Sequence, residues 1–358
     1  MAYSFRIARL FGIDVYIHVS LFLVIALISY VLLITPQPFG YFNTQYPYSI
    51  KMLLSISSAI SLFFAVLLHE LAHSLVSKRY GINVKSIVLF IFGGVASIEE
   101  IPKEPKKEIV ISLAGPTMSL FLALSSYAIS LIELPILSDF FRVFAYFNAI
   151  LAVFNLIPAF PLDGGRVLRG FLASTTNFVK ATKTAAEIGK LIAVIMGIVG
   201  LFVNPWLILI ALFIYMGANE EEKMVVVESL LTKVKVADIM TPNPLTVSAD
   251  WRVKDVIDLM LKHKHLGYPV VKDGKLVGIV TLKDLMNADE DEKIENVMSK
   301  KLITVSPDQT AFDAFKLMSN NRIGRVLVVK DGKLVGIISR TDLMRVLEIL
   351  EVLNVERR

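Results

Sequence analysis

The residues best placed to do chemistry are His69-Glu70-Leu71-Ala72-His73, at the end of a stretch that carries no charge from Met52 to Leu68. Side chains four apart share one helix face, so His69 and His73 can hold a single metal ion. Glu70, about 100° further round, can then reach a water beside it as general base. The chain contains no cysteine, which limits metal ligands to imidazole and carboxylate, a set that suits zinc. A catalytic zinc takes three protein ligands and leaves a position for water, which is the chemistry of amide hydrolysis. The best third donor is Asp163, in Asn155-Leu156-Ile157-Pro158-Ala159-Phe160-Pro161-Leu162-Asp163-Gly164-Gly165-Arg166. Its prolines break an apolar span, and its glycine pair lets backbone approach closely. Read from these residues alone, Asp163 is either that ligand or a cap for the next helix.

A bilayer is the setting these residues require. The chain is 55% hydrophobic and its mean hydropathy is +0.64, well above an ordinary soluble domain. Apolar runs crowd the part before about Gly217, and charges recur from Glu220 onward. Runs long enough to cross about 30 Å of hydrocarbon fall near 13–34, 52–77, 109–132, 140–158, 184–203 and 204–218. The first is read as a retained helix, with His18 inside it, and Gly115-Pro116 as a kink in the third. Loops on one side carry Lys78, Arg79, Lys85, Lys103, Lys106, Lys107, Arg166, Arg169, Lys180 and Lys183, whereas Thr35 to Ile50 is almost free of them. The positive-inside bias places both termini in the cytoplasm. Counting back from Lys78, His73 lies about 7 Å and His69 about 13 Å inward. Ionised side chains at such depth cost about 2.5–3.5 kcal/mol on insertion scales, so they are kept where they pair or act. Between the second and third spans, the run from Ile87 to Ile91 and the segment after Gly93-Gly94 read as short strands whose edge can pair with an unwound substrate.

The charged C-terminal part is an internal repeat. Lys272-Asp273-Gly274-Lys275-Leu276-Val277-Gly278-Ile279 recurs as Lys330-Asp331-Gly332-Lys333-Leu334-Val335-Gly336-Ile337, an offset of 58 that also carries Met240 onto Met298. Each copy reads as an extended Thr-Val segment, a helix, a strand, an Asp-Gly turn, a second strand and a closing helix. The net charge of +5 comes with no cluster of basic and aromatic residues in this part, which excludes a nucleic-acid partner. His263 and His265 read as surface residues.

The repeat resembles a pair of cystathionine-β-synthase-type (CBS) domains. The resemblance implies that Thr281 with Asp284, and Ser339 with Asp342, bind ribose and phosphate of an adenine nucleotide; on the residues alone all four also serve as helix-start caps. Residues 1–218 resemble the site-2 protease family, whose H-E-x-x-H and N-x-x-P-x-x-P-x-D-G-G signatures stand here in order. That resemblance implies one catalytic zinc on His69, His73 and Asp163, Glu70 activating water, and Asn155 holding the substrate peptide or its oxyanion. The fold expected is a polytopic α-helical membrane domain of about six transmembrane helices with a small β insertion, followed by a soluble α/β tandem CBS module. Its divisions are a protease domain over 1–218, a linker over 219–235, and CBS domains over 236–290 and 291–358. Expected partners are transmembrane protein substrates, the lipid bilayer, an adenine nucleotide as regulator, and a second copy through the CBS domains, in a prokaryotic cell membrane. A CBS-regulated transporter or channel is the alternative, and a non-catalytic adaptor a third class.

Overall fold

The computed structural model describes residues 3–91, 93–98, 103–132 and 134–356. The chain divides into two compact units, Met1–Lys223 and Met224–Arg358.

The first unit opens with strands rather than a helix. β1 (Ser4–Leu10) and β2 (Ile13–His18) form an antiparallel hairpin, turning at Phe11 and Gly12, both with positive φ, the conformation that two-residue hairpins favour. The expectation of a helix from Ile13 is therefore corrected, and His18 lies in β2. Alternation is the physical reason. Ile13 and Val15 are fully buried, while Asp14 between them turns outward to Arg6 (3.0 Å) and Arg9 (3.7 Å). The period is that of a strand, and only Ser20–Ile34 is helical, as α1. His18 Nδ1 lies 2.9 Å from Ser20 Oγ at the junction.

α2 (Tyr48–Arg79) follows, then β3 (Val84–Phe90) and β4 (Gly93–Ile98), the two strands expected there. The sheet order is β1-β2-β3-β4, with β2 and β3 parallel. Then come α3 (Pro105–Ser130), α4 (Pro135–Asn155), α5 (Asp163–Ala173), α6 (Phe178–Phe202) and α7 (Trp206–Leu231). Among the described residues α2, α3, α4 and α6 are long and apolar enough to cross a membrane. α1, with 15 residues, reaches about 22 Å. In α7 the apolar run gives way to Glu220, Glu221, Glu222 and Lys223, so the stretch expected as a linker begins inside a helix.

Two faces of α2 do different work. Phe63, Leu67 and Leu71 pack with Ile13, Val15, Ile87 and Leu89 of the sheet. His69 and His73 follow two residues later, about 200° round, and so face away from the sheet.

The second unit holds the repeats. α8 (Val236–Ile239) and β5 (Thr241–Pro242) lead into β6 (Val247–Ser248), α9 (Val253–His263), β7 (Gly267–Lys272), β8 (Lys275–Thr281) and α10 (Leu282–Leu285). The second copy runs α11 (Ile294–Val297), β9 (Thr304–Val305), α12 (Ala311–Asn321), β10 (Arg325–Lys330), β11 (Lys333–Ser339) and α13 (Arg340–Glu356). The copies exchange their leading segments: Thr241 pairs with Ile337 of the second sheet, and Ser299 with Ile279 of the first. Met240 accordingly lies against Gly336, and Met298 against Gly278, where a Cβ would meet each thioether sulfur at 2.5 Å.

That exchange ties the repeats into one folding unit. Gly336→Val is expected to destabilise it by about 1–3 kcal/mol through overpacking, read as a lower denaturant midpoint by Trp251 fluorescence of the full chain. An unchanged midpoint would refute the exchange.

Candidate metal centre

Two elements bring three side chains to one point. His69 and His73 come from consecutive turns of α2, and Asp163 opens α5. The Asp163 Oδ2 atom lies 3.2 Å from His69 Nε2 and 3.1 Å from His73 Nε2, and the two Nε2 atoms are 3.2 Å apart. Both imidazoles are buried, at 4% and 8% exposure. Among the described residues this is the group of His and carboxylate side chains arranged to hold a metal ion.

The remaining ring nitrogens fix how each imidazole is used. His69 Nδ1 lies 2.8 Å from Ser119 Oγ, and His73 Nδ1 donates to the Ile111 carbonyl at 2.7 Å. A proton held on Nδ1 leaves the Nε2 lone pair free for a cation, the usual orientation of metal-bound histidine. The triangle of donors has the right size as well. Ligands about 2.0–2.1 Å from a tetrahedral ion stand about 3.3 Å apart, close to the separations here. The residues therefore fit zinc.

The supports come from α3 and from the break before α5. Ile111, Gly115 and Ser119 recur every four residues on α3, and a Cβ on Gly115 would strike Nε2 of both histidines. α3 runs on as helix through Pro116. Proline has no N–H for the Ser112 carbonyl one turn back, and it is the adjoining Ile111 carbonyl that receives His73. The segment between α4 and α5 is buried at Ala159, Phe160 and Leu162, as irregular backbone at membrane depth must be. Gly164 is pressed against the carbonyls of Leu156 and Ile157. Asp163 makes no cap to its own helix; its carboxylate turns to the two histidines.

Glu70 adjoins the triangle on α2, and its side chain lies against Gly94 of β4, where a Cβ would come within 3.2 Å of the Glu70 Cδ. Asn155 ends α4 and its Nδ2 donates to the Leu151 carbonyl at 2.9 Å, within its own helix. Ser119, Gly115, Gly94 and the Ile111 carbonyl were not legible as site residues. Serine and glycine are frequent in membrane helices, and a carbonyl has no signature in the sequence.

In the second unit, Asp284 Oδ2 accepts from the Thr281 hydroxyl (2.6 Å) and backbone N–H (2.8 Å), and Asp342 accepts from Ser339 at the same distances. These are caps, and each also borders a cavity. A cavity of about 780 Å³ is lined by Thr281, Asp284, Lys301, Arg322 and Arg325. Another of about 560 Å³ is lined by Ser339, Asp342, Arg345, His263, His265 and Arg325. The exposed histidines thus sit at a cleft. Arg325 borders both cavities, and its equivalent one repeat earlier is Gly267, into whose side-chain space the guanidinium extends. Burial lowers the basicity of that guanidinium.

Both units are similar to known proteins. The model of peptidase family M50 matches residues 57–135 and 132–196, and that of the CBS domain matches 236–291 and 294–349. A zinc metalloprotease of Methanocaldococcus jannaschii is 38% identical over 98% of this chain and 98% of its own. The solved site-2 protease from the same organism is 36% identical over 62% of this chain and 95% of that one, with a TM-score of 0.43. A CBS domain pair solved with 5′-methylthioadenosine and S-adenosyl-L-methionine is 30% identical over 32% of this chain and 96% of that one, with a TM-score of 0.31.

Two substitutions test the supports. Ser119→Ala is expected to weaken zinc binding about tenfold in a chelator competition titration. Gly115→Ala is expected to lower the zinc content of purified protein further, with helix content unchanged by circular dichroism. Wild-type affinity in both would contradict the geometry.

Proposed function

The chain belongs to peptidase family M50, the site-2 proteases, and is a membrane zinc metalloprotease; we propose that His69, His73 and Asp163 hold its zinc while Glu70 moves the protons of peptide hydrolysis. The observation that carries this reading is the triangle of donor atoms, 3.1–3.2 Å on a side, inside an apolar bundle. Zinc bound there supplies Lewis acidity, lowering the pKa of water towards about 7 and polarising the scissile carbonyl. Glu70 takes the proton of the attacking water and returns it to the leaving amine nitrogen. Ser119 and the Ile111 carbonyl keep the Nδ1 protons in place, so neither ligand histidine competes for that proton.

Substrates are membrane proteins, and a helical one conceals its scissile carbonyl in its own hydrogen bonds. β4 is an edge strand whose second residue, Gly94, lies beside Glu70. An unwound segment pairing along that edge is delivered to the general base by main-chain bonds, independently of its sequence. Asn155 joins in holding the peptide once its amide leaves the Leu151 carbonyl. Lys78 and Arg79 at the end of α2 support the reading in which that end of the helix, and both termini, face the cytoplasm.

The CBS pair is assigned a regulatory adenine nucleotide. Asp342 has its second oxygen to offer ribose hydroxyls, Asp284 can do the same in exchange for its bond from Ser299 (3.1 Å), and Arg325, Lys301 and Arg345 line the cavities with charge for phosphate.

For the protease, Glu70→Gln is expected to retain zinc and lose 10²–10⁴-fold or more in cleavage of a membrane-embedded substrate. Retained cleavage would contradict the role of Glu70. For the module, Asp342→Ala is expected to weaken adenosine and AMP alike by isothermal titration with the full chain, whereas Arg325→Ala weakens AMP and spares adenosine. Equal loss of both ligands on Arg325→Ala would remove the phosphate assignment.

A further inference from the structure

α7 grips the segment that carries Asp163 at two points. Gly217 is packed on the ring of Pro161, two residues before Asp163, so closely that a Cβ would strike the proline Cδ. One turn on, Glu221 Oε1 accepts from Arg169 Nη1 at 2.6 Å. Gly217 and Glu221 are four apart and share one face of α7. Arg169 lies on α5, six residues beyond Asp163.

Arg169 is an unusual residue to find there. It is 1% exposed and the largest of the fully buried side chains. Its Nε donates to Glu108 Oε1 of α3 at 2.8 Å, and its guanidinium carbon stands 5.0 Å from the Phe160 ring and 4.8 Å from that of Phe178. Two carboxylates and two aromatic faces leave the guanidinium a single orientation. The fork therefore joins α3, which supports both histidines, to α5, which bears the carboxylate, and to α7. Beyond Lys223 the same helix enters the second unit, where Leu230 and Leu231 belong to the hydrophobic core.

We infer that Arg169 and Glu221 are positioning residues: through them α7, the helix that leads to the CBS repeats, sets where the Asp163 carboxylate stands relative to the histidines. This rests on Asp163 being a zinc ligand. A small shift or rotation of α7 would reach the metal site through Pro161 on one side of Asp163 and Arg169 on the other. A nearby pair supplies the control, because Lys190 Nζ donates to Glu222 at 2.6 Å and ties α7 to α6 rather than to α5.

The experiment compares Glu221→Gln, Glu221→Asp and Lys190→Gln in the full-length protein, by zinc affinity and by kcat and KM on a membrane-embedded substrate. Glu221→Gln is expected to lower zinc affinity about tenfold, the range found for groups that support metal ligands. It should lower kcat in parallel, with KM unchanged. Glu221→Asp should recover part of both, and Lys190→Gln should stay within about twofold of wild type. Equal effects of Glu221→Gln and Lys190→Gln, or none from the former, would overturn the inference. If Glu221→Gln does not fold, Glu221→Asp carries the test, its wild-type affinity and kcat counting against. Asp163→Asn is measured alongside: wild-type zinc binding there would remove the ligand assignment itself, whereas zinc lost there with Glu221→Gln silent would remove only the positioning role.

Discussion

Three lone-pair donors held within 3.1–3.2 Å of one another, inside a largely apolar bundle, are the constraint on which the first unit depends. Such a cluster is costly without a cation, since a carboxylate taken out of water loses several kcal/mol of hydration. Each donor is therefore restrained from behind. The His69 ring is restrained by Ser119, the His73 ring by the Ile111 carbonyl, and Asp163 by a turn whose backbone is locked around it. The bundle holds the three donor atoms at the spacing that a small divalent ion with nitrogen and oxygen preferences would need.

Close approach explains where the glycines stand. α3 can lie against α2 at the histidines because Gly115 puts no side chain between them, and β4 can lie against Glu70 because Gly94 puts none there. Gly164 lets the chain fold back on its own carbonyls immediately after Asp163. At Gly115 and Gly94 even a methyl group would have to displace a site side chain, and at Gly164 the backbone before Asp163, so the packing of the helices and the geometry of the site are one problem with one solution.

How much of this was legible in the sequence depends on whether the signal was local. His69, Glu70 and His73 lie on one helix, and the i, i+4 rule reports them directly. The Asp-Gly turns of the repeats are local too, with Asp273, Gly274, Asp331 and Gly332 all at positive φ. Asp163 was legible only as a choice between ligand and cap, because which way its carboxylate points is decided by helices far off in the chain. β2 was misread as helix because a short alternating run followed by an apolar helix looks continuous in hydropathy; Asp14, charged and flanked by buried Ile13 and Val15, was the available clue. Ser119, Arg169 and Glu108 act through contacts 50 or 61 residues away in sequence, and no local pattern records those.

The repeats face a different physical problem, since each copy alone would leave one sheet edge and one methionine without a place, and exchange of leading segments answers both. The central claim remains the metal centre, and X-ray absorption at the zinc edge of the purified full-length protein tests it most directly. Two imidazoles and two oxygens, one from Asp163 and one from water, are expected at about 2.0–2.1 Å in fourfold coordination. A shell with one imidazole or none, or six oxygens, would contradict it.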